Sequence, residues 1–414
     1  VAAPTITIQF WFDLSGSGVG NWFTLDDPTK GVLDGTTYLL AGDLATDVSA
    51  FGKSVQYTRG RSRQSDEFRA GTATIELRNR DRRFDPFFAA GPYYGNLRPG
   101  KKVTVFAAGI IVYVGNVEDY AYGFDPSGES IVTVTVVDAL GTLAAAAMTA
   151  WTATAGQTSG PRITDVLNRA EVNFPVTRSI GTGVSTLQAD VIAAGTNVLQ
   201  YLQLVAQTDL GRLYAARDGT LVFRDRYSAV TVTGGTPAVA FGDDGTGIPY
   251  TSIEIDMGAD YLYSRVIVSR VGGATQQFTD TDSAALYGIR TLTMTDLLQD
   301  SDSQTYDMGL FLLGIYGEPT QRVSALTVDL ARLSMPDQAR VLGLELGDVI
   351  TVTFTPNRIG PPVTLPCAIE GIEADTVPGE MTVTFHLGDT VDRQVFILDD
   401  PTFGVLDGPG VLAF

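Results

Sequence analysis

Side chains able to do acid–base, nucleophilic or metal chemistry are few in this sequence, and their spacing does not suit such work. The one histidine, His386, stands in VTFHLGD. A Ser-His-Asp or Cys-His triad would have to use it, and a lone histidine in an alternating strand reads as a packed or surface residue. The single cysteine, Cys367, lies in the apolar run VTLPCAIEG. One thiol builds neither a disulfide framework nor a thiolate metal cluster, so Cys367 reads as buried and structural. Aspartates are frequent, but Asp26/Asp27 and Asp399/Asp400 are adjacent and belong to turns, and nothing singles out a pair for glycoside cleavage. The run DSDSQTYD, Asp300 to Asp307, resembles a calcium loop. It lacks the glycine at its sixth position and has Phe311 where the twelfth-position acid belongs, so it reads as an Asx-rich surface loop. No G-x-x-x-x-G-K-[ST] and no strand-anchored G-x-G-x-x-G occurs. These residues imply no enzyme and no cofactor.

Charge points to contacts between proteins. Arg59, Arg61, Arg63, Arg69, Arg78, Arg80, Arg82 and Arg83 crowd one stretch, interleaved with Asp66, Glu67, Glu76, Asp81 and Asp85. A phosphate track would not carry so many acids, and salt-bridged contact at a subunit interface is the better reading. Arg59, Arg61, Arg63, Arg80, Arg82 and Arg83 are the candidates. The chain as a whole carries −19, from 47 acidic against 28 basic residues. That excludes nucleic acid as a specific ligand, since affinity for phosphate rests on clustered Lys and Arg. An acidic surface still suits a passage through which DNA slides, although solubility explains it as well.

Two internal echoes stand out. Phe23 to Gly35 reads FTLDDPTKGVLDG and Phe396 to Gly408 reads FILDDPTFGVLDG, identical at eleven of thirteen positions. Both copies join apolar anchors to rigid turns outside the apparent domains, so they are expected to be equivalent docking segments. Their contact residues would be Leu25, Asp26, Asp27, Pro28, Val32 and Leu33 in the first, and Leu398, Asp399, Asp400, Pro401, Val405 and Leu406 in the second. The other echo is fainter. LRPGKKVTVF, VGNVED and IVTVTVVD are followed, late in the chain, by LELGDVITVTF, IEGIEA and MTVTFHLGD. A glycine turn precedes a Thr-Val strand, Glu118 and Glu373 each follow an apolar residue, and another Thr-Val strand closes. Two similar barrels per chain would give a trimer six, which presents pseudo-sixfold symmetry to a hexameric neighbour.

The elements that must position these residues are mostly strands. With 414 residues, two to four domains are expected; 44% hydrophobic residues, 18% charged and 45 glycines favour strands and turns. Residues 1–45 read as an N-terminal arm in which TITIQFWF alternates as a strand. Residues 46–148 read as a first β domain, a small barrel or sandwich. Residues 149–226 read as a small α/β domain: one helix with Ile163, Val166, Leu167 and Ala170 on a stripe, another with Val198, Leu199, Leu202, Val205 and Ala206 ending at Gly211, then a hairpin turning at Asp218-Gly219. Residues 227–321 read as α+β with a helix around TYDMGLFLLGIYG, 322–394 as a second β domain, and 395–414 as a C-terminal arm. The fold class is mainly β with an α/β insert. The N-terminus lacks the charge and apolar pattern of a signal peptide, and no run approaches the about 20 apolar residues of a membrane helix. A soluble protein made in a cytoplasm, with no membrane insertion, is expected.

RGRSRQSDEFRAGTATIELRNRDRRFDP, then PYYGNLRPGKKVTV and GNVEDYAY, resembles the minor tail proteins of long-tailed phages infecting actinobacteria. LDDPTKGVLDGTTYLL occurs in the same group, and ITDVLNRAEV through LGRLYAARDGTLVFRDR is similar to the small α/β module of tail-hub proteins. The resemblance covers most of the chain and is least diagnostic over 227–321. It implies a structural hub at the tail tip, assembled in the host cytoplasm: a trimer with two tube-type β-barrels per chain that closes or continues the tail tube. Implied partners are the distal tail ring, other tail-tip proteins and the tape measure protein, with genome DNA passing nearby. Hub residues of that family are structural, so no catalytic, cofactor or metal residue carries over. The alternatives are a hexameric distal-tail ring or other tip adaptor, and a receptor-binding or glycan-degrading β protein.

Overall fold

Apolar residues alternating with Thr or charged ones specify strands with one buried and one polar face. The computed structural model describes residues 2–13, 26–31, 43–63, 66–124, 126, 128, 130–226, 237–258, 261–319 and 321–390. Thirteen of its strands form one sheet. In chain order these are β1 (Ile6–Asp13), β2 (Asp43–Asp47), β3 (Gly52–Gly60), β4 (Arg69–Arg78), β5 (Lys102–Ala107), β6 (Ile110–Gly123) and β7 (Ile131–Val137). They continue with β8 (Val239–Gly242), β9 (Ser252–Asp256), β10 (Arg322–Asp329), β11 (Val349–Phe354), β12 (Val363–Val377) and β13 (Glu380–Asp389). The chain is mainly β with an α/β insert, as its sequence implies.

The sheet is built from two halves that repeat each other. One runs β3-β4-β7-β6-β5-β1 and the other β9-β10-β13-β12-β11-β8. Corresponding ladders are antiparallel in both, except that β8 runs parallel to β11 where β1 is antiparallel to β5. The likeness extends to single hydrogen bonds. Gly100 N donates to Val117 O at 2.7 Å and Val117 N to Lys101 O at 2.8 Å; Gly347 N donates to Ile369 O at 2.7 Å and Ile369 N to Asp348 O at 3.0 Å. Both glycines take left-handed φ, 84° and 89°, which a side chain would strain. The ladder then slips by one residue in each half, at Glu118 in β6 and at Glu370 in β12. Glu370, not Glu373, is therefore the counterpart of Glu118, and the echo expected from the sequence shifts by three residues here.

Each half rolls around its apolar face. In the first, β1 returns beside the start of β3: Ile8 N donates to Ser49 Oγ at 2.8 Å and Val48 N to Ile8 O at 2.9 Å. No described ladder closes either roll on its own. Instead β3 pairs with β12, Gly371↔Gly60 through Thr376↔Val55, and one apolar core runs through both halves.

Three placements differ from the sequence reading. The strand at Ile6–Asp13 is not part of an arm: Ile8, Phe10 and Phe12 are buried in the first roll. β8 and β9 belong to the second roll, because their partners are β11 and β10. The run Asp300–Asp307 is largely helical rather than a loop, forming the start of a helix over Asp302–Tyr316.

Helices Ser159–Leu167 and Val198–Thr208 pack with the hairpin strands Arg212–Ala215 and Leu221–Arg224 around a second core. Ala170 lies past the end of the first helix and is exposed. The second helix ends with Leu210, not Gly211, in the left-handed region at φ 51°. A third, smaller core joins strands Arg265–Arg270, Gln276–Thr279 and Thr291–Leu297 to the helix Asp302–Tyr316.

Candidate assembly interface

The joint between the two rolls holds several buried or half-buried charged side chains. β3 and β12 approach closely at Gly60 and Gly371, where a Cβ on either would run into the opposite backbone, at Glu370 O or Arg61 O. Arg61 N donates to Glu370 O at 2.9 Å. The Glu370 side chain, fully buried at the slip in the ladder, accepts from Arg61 Nε and from Arg212 Nη2, each at 2.8 Å. Arg212 comes from the hairpin of the α/β module, so one carboxylate ties three parts of the chain together. Beside it Arg59 Nη1 donates to Glu345 Oε1 at 2.6 Å, and Glu345 Oε2 accepts from Arg217 N at 2.8 Å. Arg61 also lies over the Phe68 ring, 4.5 Å from its centroid.

On the side away from the core the sheet is polar. Thr58 meets Thr72 at 3.2 Å and Thr327 meets Thr384 at 3.1 Å, cross-strand hydroxyl pairs of the kind that steady a sheet face. Glu373 and Asp375 project from β12 on this face and are exposed, as is Asp119 from β6. His386 also lies here, its Nε2 3.6 Å from Glu373 Oε2. Cys367 is buried, and burial pushes its thiol up to about 12, which leaves no thiolate at neutral pH. Among the described residues no group of three His, Cys, Asp or Glu side chains is placed to hold a metal ion.

The arginines singled out in the sequence divide. Arg59 is buried and Arg61 half-buried in the joint of one chain, where they pair with Glu345 and Glu370 of the same chain. Arg82 is held by Asp85 at 2.6 Å and lies over Phe88; Arg83 pairs with Asp81 and lies over Phe51. Arg63 and Arg80 are exposed. Of the repeated terminal segments, Asp26, Asp27 and Pro28 form a tight turn in which Asp27 Oδ1 accepts from Thr29 N and Lys30 N, both at 2.8 Å. The bond from Lys30 N, then that from Thr29 N, hold the Asp27 carboxyl below its ordinary value. Leu25, Val32 and Leu33, and Leu398, Asp399, Asp400, Pro401, Val405 and Leu406, lie outside the described residues.

Sequence reasoning missed Glu370, Glu345, Arg212 and Arg217. The signal for Glu370 was a single acid inside the apolar run CAIEGI, where only a buried partner makes a charge tolerable.

No protein-family model matches this chain, and no curated protein matches it either. Solved structures do. The 43 kDa tail protein of prophage MuSo2 from Shewanella oneidensis is similar at a TM-score of 0.56 with 14% identity, over 84% of this chain and 96% of that one. The tail protein from Neisseria meningitidis MC58 is similar at a TM-score of 0.57, with the same identity and coverage of 14%, 84% and 96%. At that identity the likeness shows the fold alone, one that this chain shares with these two tail proteins.

Proposed function

We propose that this chain is a structural protein of a long phage tail, a hub at the tail tip in which three copies set six β rolls around an axis. The observation that carries this reading is the duplication itself. A chain holding two rolls of identical strand order, joined edge to edge, supplies a ring of six from three copies and so matches a sixfold tube. The polar face, with Thr pairs and the acids Asp119, Glu373 and Asp375, would line the passage, where negative charge repels DNA phosphates and lets the polymer slide. The fold shared with the two tail proteins supports the assignment to a tail, and the role proposed is structural, without enzymatic activity. The hub would sit against the distal tail ring and carry host-contact proteins, with the repeated LDDP segments as clamps on neighbouring subunits.

Mass measurement and electron cryomicroscopy of the purified full chain test this. Three copies with two rolls each is the expected result. Six copies on a true sixfold axis would instead favour a distal-tail ring. The chain is expected to leave host-wall glycans unbound and uncleaved; binding or cleavage would favour a receptor-binding or glycan-degrading protein. Deleting residues 396–414 should leave unfolding unchanged while weakening assembly, and a truncated chain that unfolds would make that segment part of the core.

A further inference from the structure

The repeat within the chain leaves one ladder unmatched. In the second roll, the half of β12 beyond the slip at Glu370 has β13 on one side and β3 on the other. Its counterpart, the half of β6 beyond Glu118, has β7 on one side and no described strand on the other. The strand equivalent to β3 is β9, since β9 pairs with β10 as β3 pairs with β4. β9 is itself an end strand of the sheet. Two open edges, one at each end of the duplicated structure, therefore correspond to the two edges that meet inside it. Open edges left unpaired invite pairing with another chain.

We propose that β9 of one copy pairs antiparallel with the outer half of β6 of a second copy, repeating between chains the joint that β3 and β12 make within one. This rests on the ring assembly proposed above and assigns its contact surface.

The register follows from the internal joint. There Ile372 faces Arg59, Ala374 faces Tyr57 and Thr376 faces Val55. The ladders β3–β4 and β9–β10 align Val55 with Ile253, and the slips align Ile372 with Tyr120. Carried across, Tyr120 faces Met257, Tyr122 faces Ile255 and Phe124 faces Ile253. The side chains suit one another. Tyr120, Tyr122 and Phe124 form a stacked row with centroids 6.4 and 6.3 Å apart. Opposite them would stand Ile253 and Ile255 of β9 and Met257 just past its end, interleaved with the acids Glu254 and Asp256. Val55 and Tyr57 are buried in the internal joint at 3% and 4% exposure, whereas Ile255 and Met257 are 37% and 71% exposed and Phe124 is 60% exposed. An aromatic row covered by aliphatic side chains is a favourable cross-strand match. Because the two edges differ, the contact is head to tail and must close into a ring or run on as a filament.

Residues directly opposite in an antiparallel pair lie close enough for a disulfide. Full-length Tyr122→Cys/Ile255→Cys is expected to give covalent multimers on mild oxidation, and a mixture of the two single variants a covalent dimer at least tenfold above either alone. Tyr122→Cys/Glu254→Cys, displaced by one residue so that the thiols point to opposite faces, is the control and should link at least tenfold less. Ile255→Lys should keep the fold, since the residue is exposed, and weaken association at least tenfold. Oligomers that form without the Tyr122–Ile255 link, or that link equally through the control, would overturn the pairing while leaving the hub reading standing. Linked rings of a copy number other than three would keep the pairing and overturn the threefold hub. A chain that stays monomeric and unlinked would overturn both.

Discussion

Glu118 and Glu370 show how far position in the fold outweighs residue type. Both are glutamates at the slip of a long central strand, yet Glu118 is exposed and Glu370 fully buried between Arg61 and Arg212. Removing one partner from a buried ion pair strands the other charges, at a cost of about 3–5 kcal/mol. Glu370→Ala should therefore lower unfolding free energy in urea by about that amount, while Glu118→Ala in the isolated chain stays within about 0.5 kcal/mol. Equal effects would show that the buried carboxylate holds nothing together. Asp138 offers a titration. It caps the helix Ala139–Ala145, accepting from Leu140 N at 2.9 Å and from Gly71 N at 2.7 Å, and burial pushes its carboxyl up to about 6 from 3.8. The folded state then holds the proton more tightly than the unfolded state. The stability it contributes is complete below 3.8 and is lost as pH rises through about 6. At about 1.4 kcal/mol per unit this amounts to about 3 kcal/mol. Asp138→Asn should remove that part of the decline between pH 4 and pH 7, read as the difference between variant and parent in urea unfolding. Parallel pH profiles would contradict the assignment.

Among the elements, the two glycine turns before β5 and β11 test whether the halves are equivalent in energy as well as in shape. Gly100 and Gly347 hold the same left-handed conformation and donate to the same strand position. An alanine in that conformation costs about 1–2 kcal/mol. Gly100→Ala meets no atom within 4 Å, and Gly347→Ala meets only the guanidinium of Arg212, at 3.3 Å. Both should lose about the same stability in denaturant titration; a loss at one turn alone would mean that the other can relax. The same comparison shows what elements can be read locally. Both helices of the α/β module and its hairpin follow from their stripes and from Asp218-Gly219, with Gly219 at φ 87°. The helical run from Asp302 was hidden, because Asx and Ser residues that favour loops also serve at helix starts.

At the scale of the molecule, one apolar core passes through both rolls while the unit over 265–316 has a core of only five buried residues, Val266, Val268, Leu297, Met308 and Leu312. Regions with few buried contacts open first. Native-state hydrogen exchange should show the amides of β3 and β12 among the slowest, the two rolls opening together, and the 265–316 unit exchanging earlier. Separate opening of the two rolls would mean that the joint is a contact between domains rather than a shared core.

The class, the repeat and the scarcity of catalytic groups are legible along the chain alone. Alternation is a property of neighbours along the chain, and a lone His386 or Cys367 is visible without a fold. Which edges meet is a property of the folded chain. β3 and β12 are about 300 residues apart, and nothing local to either says that Arg61 will find Glu370 rather than a second chain. The same physical fact separates Glu370 from Glu118. A strand across the edge removes water from one carboxylate and forces it to be paired, and where no described strand lies across, the other stays in water.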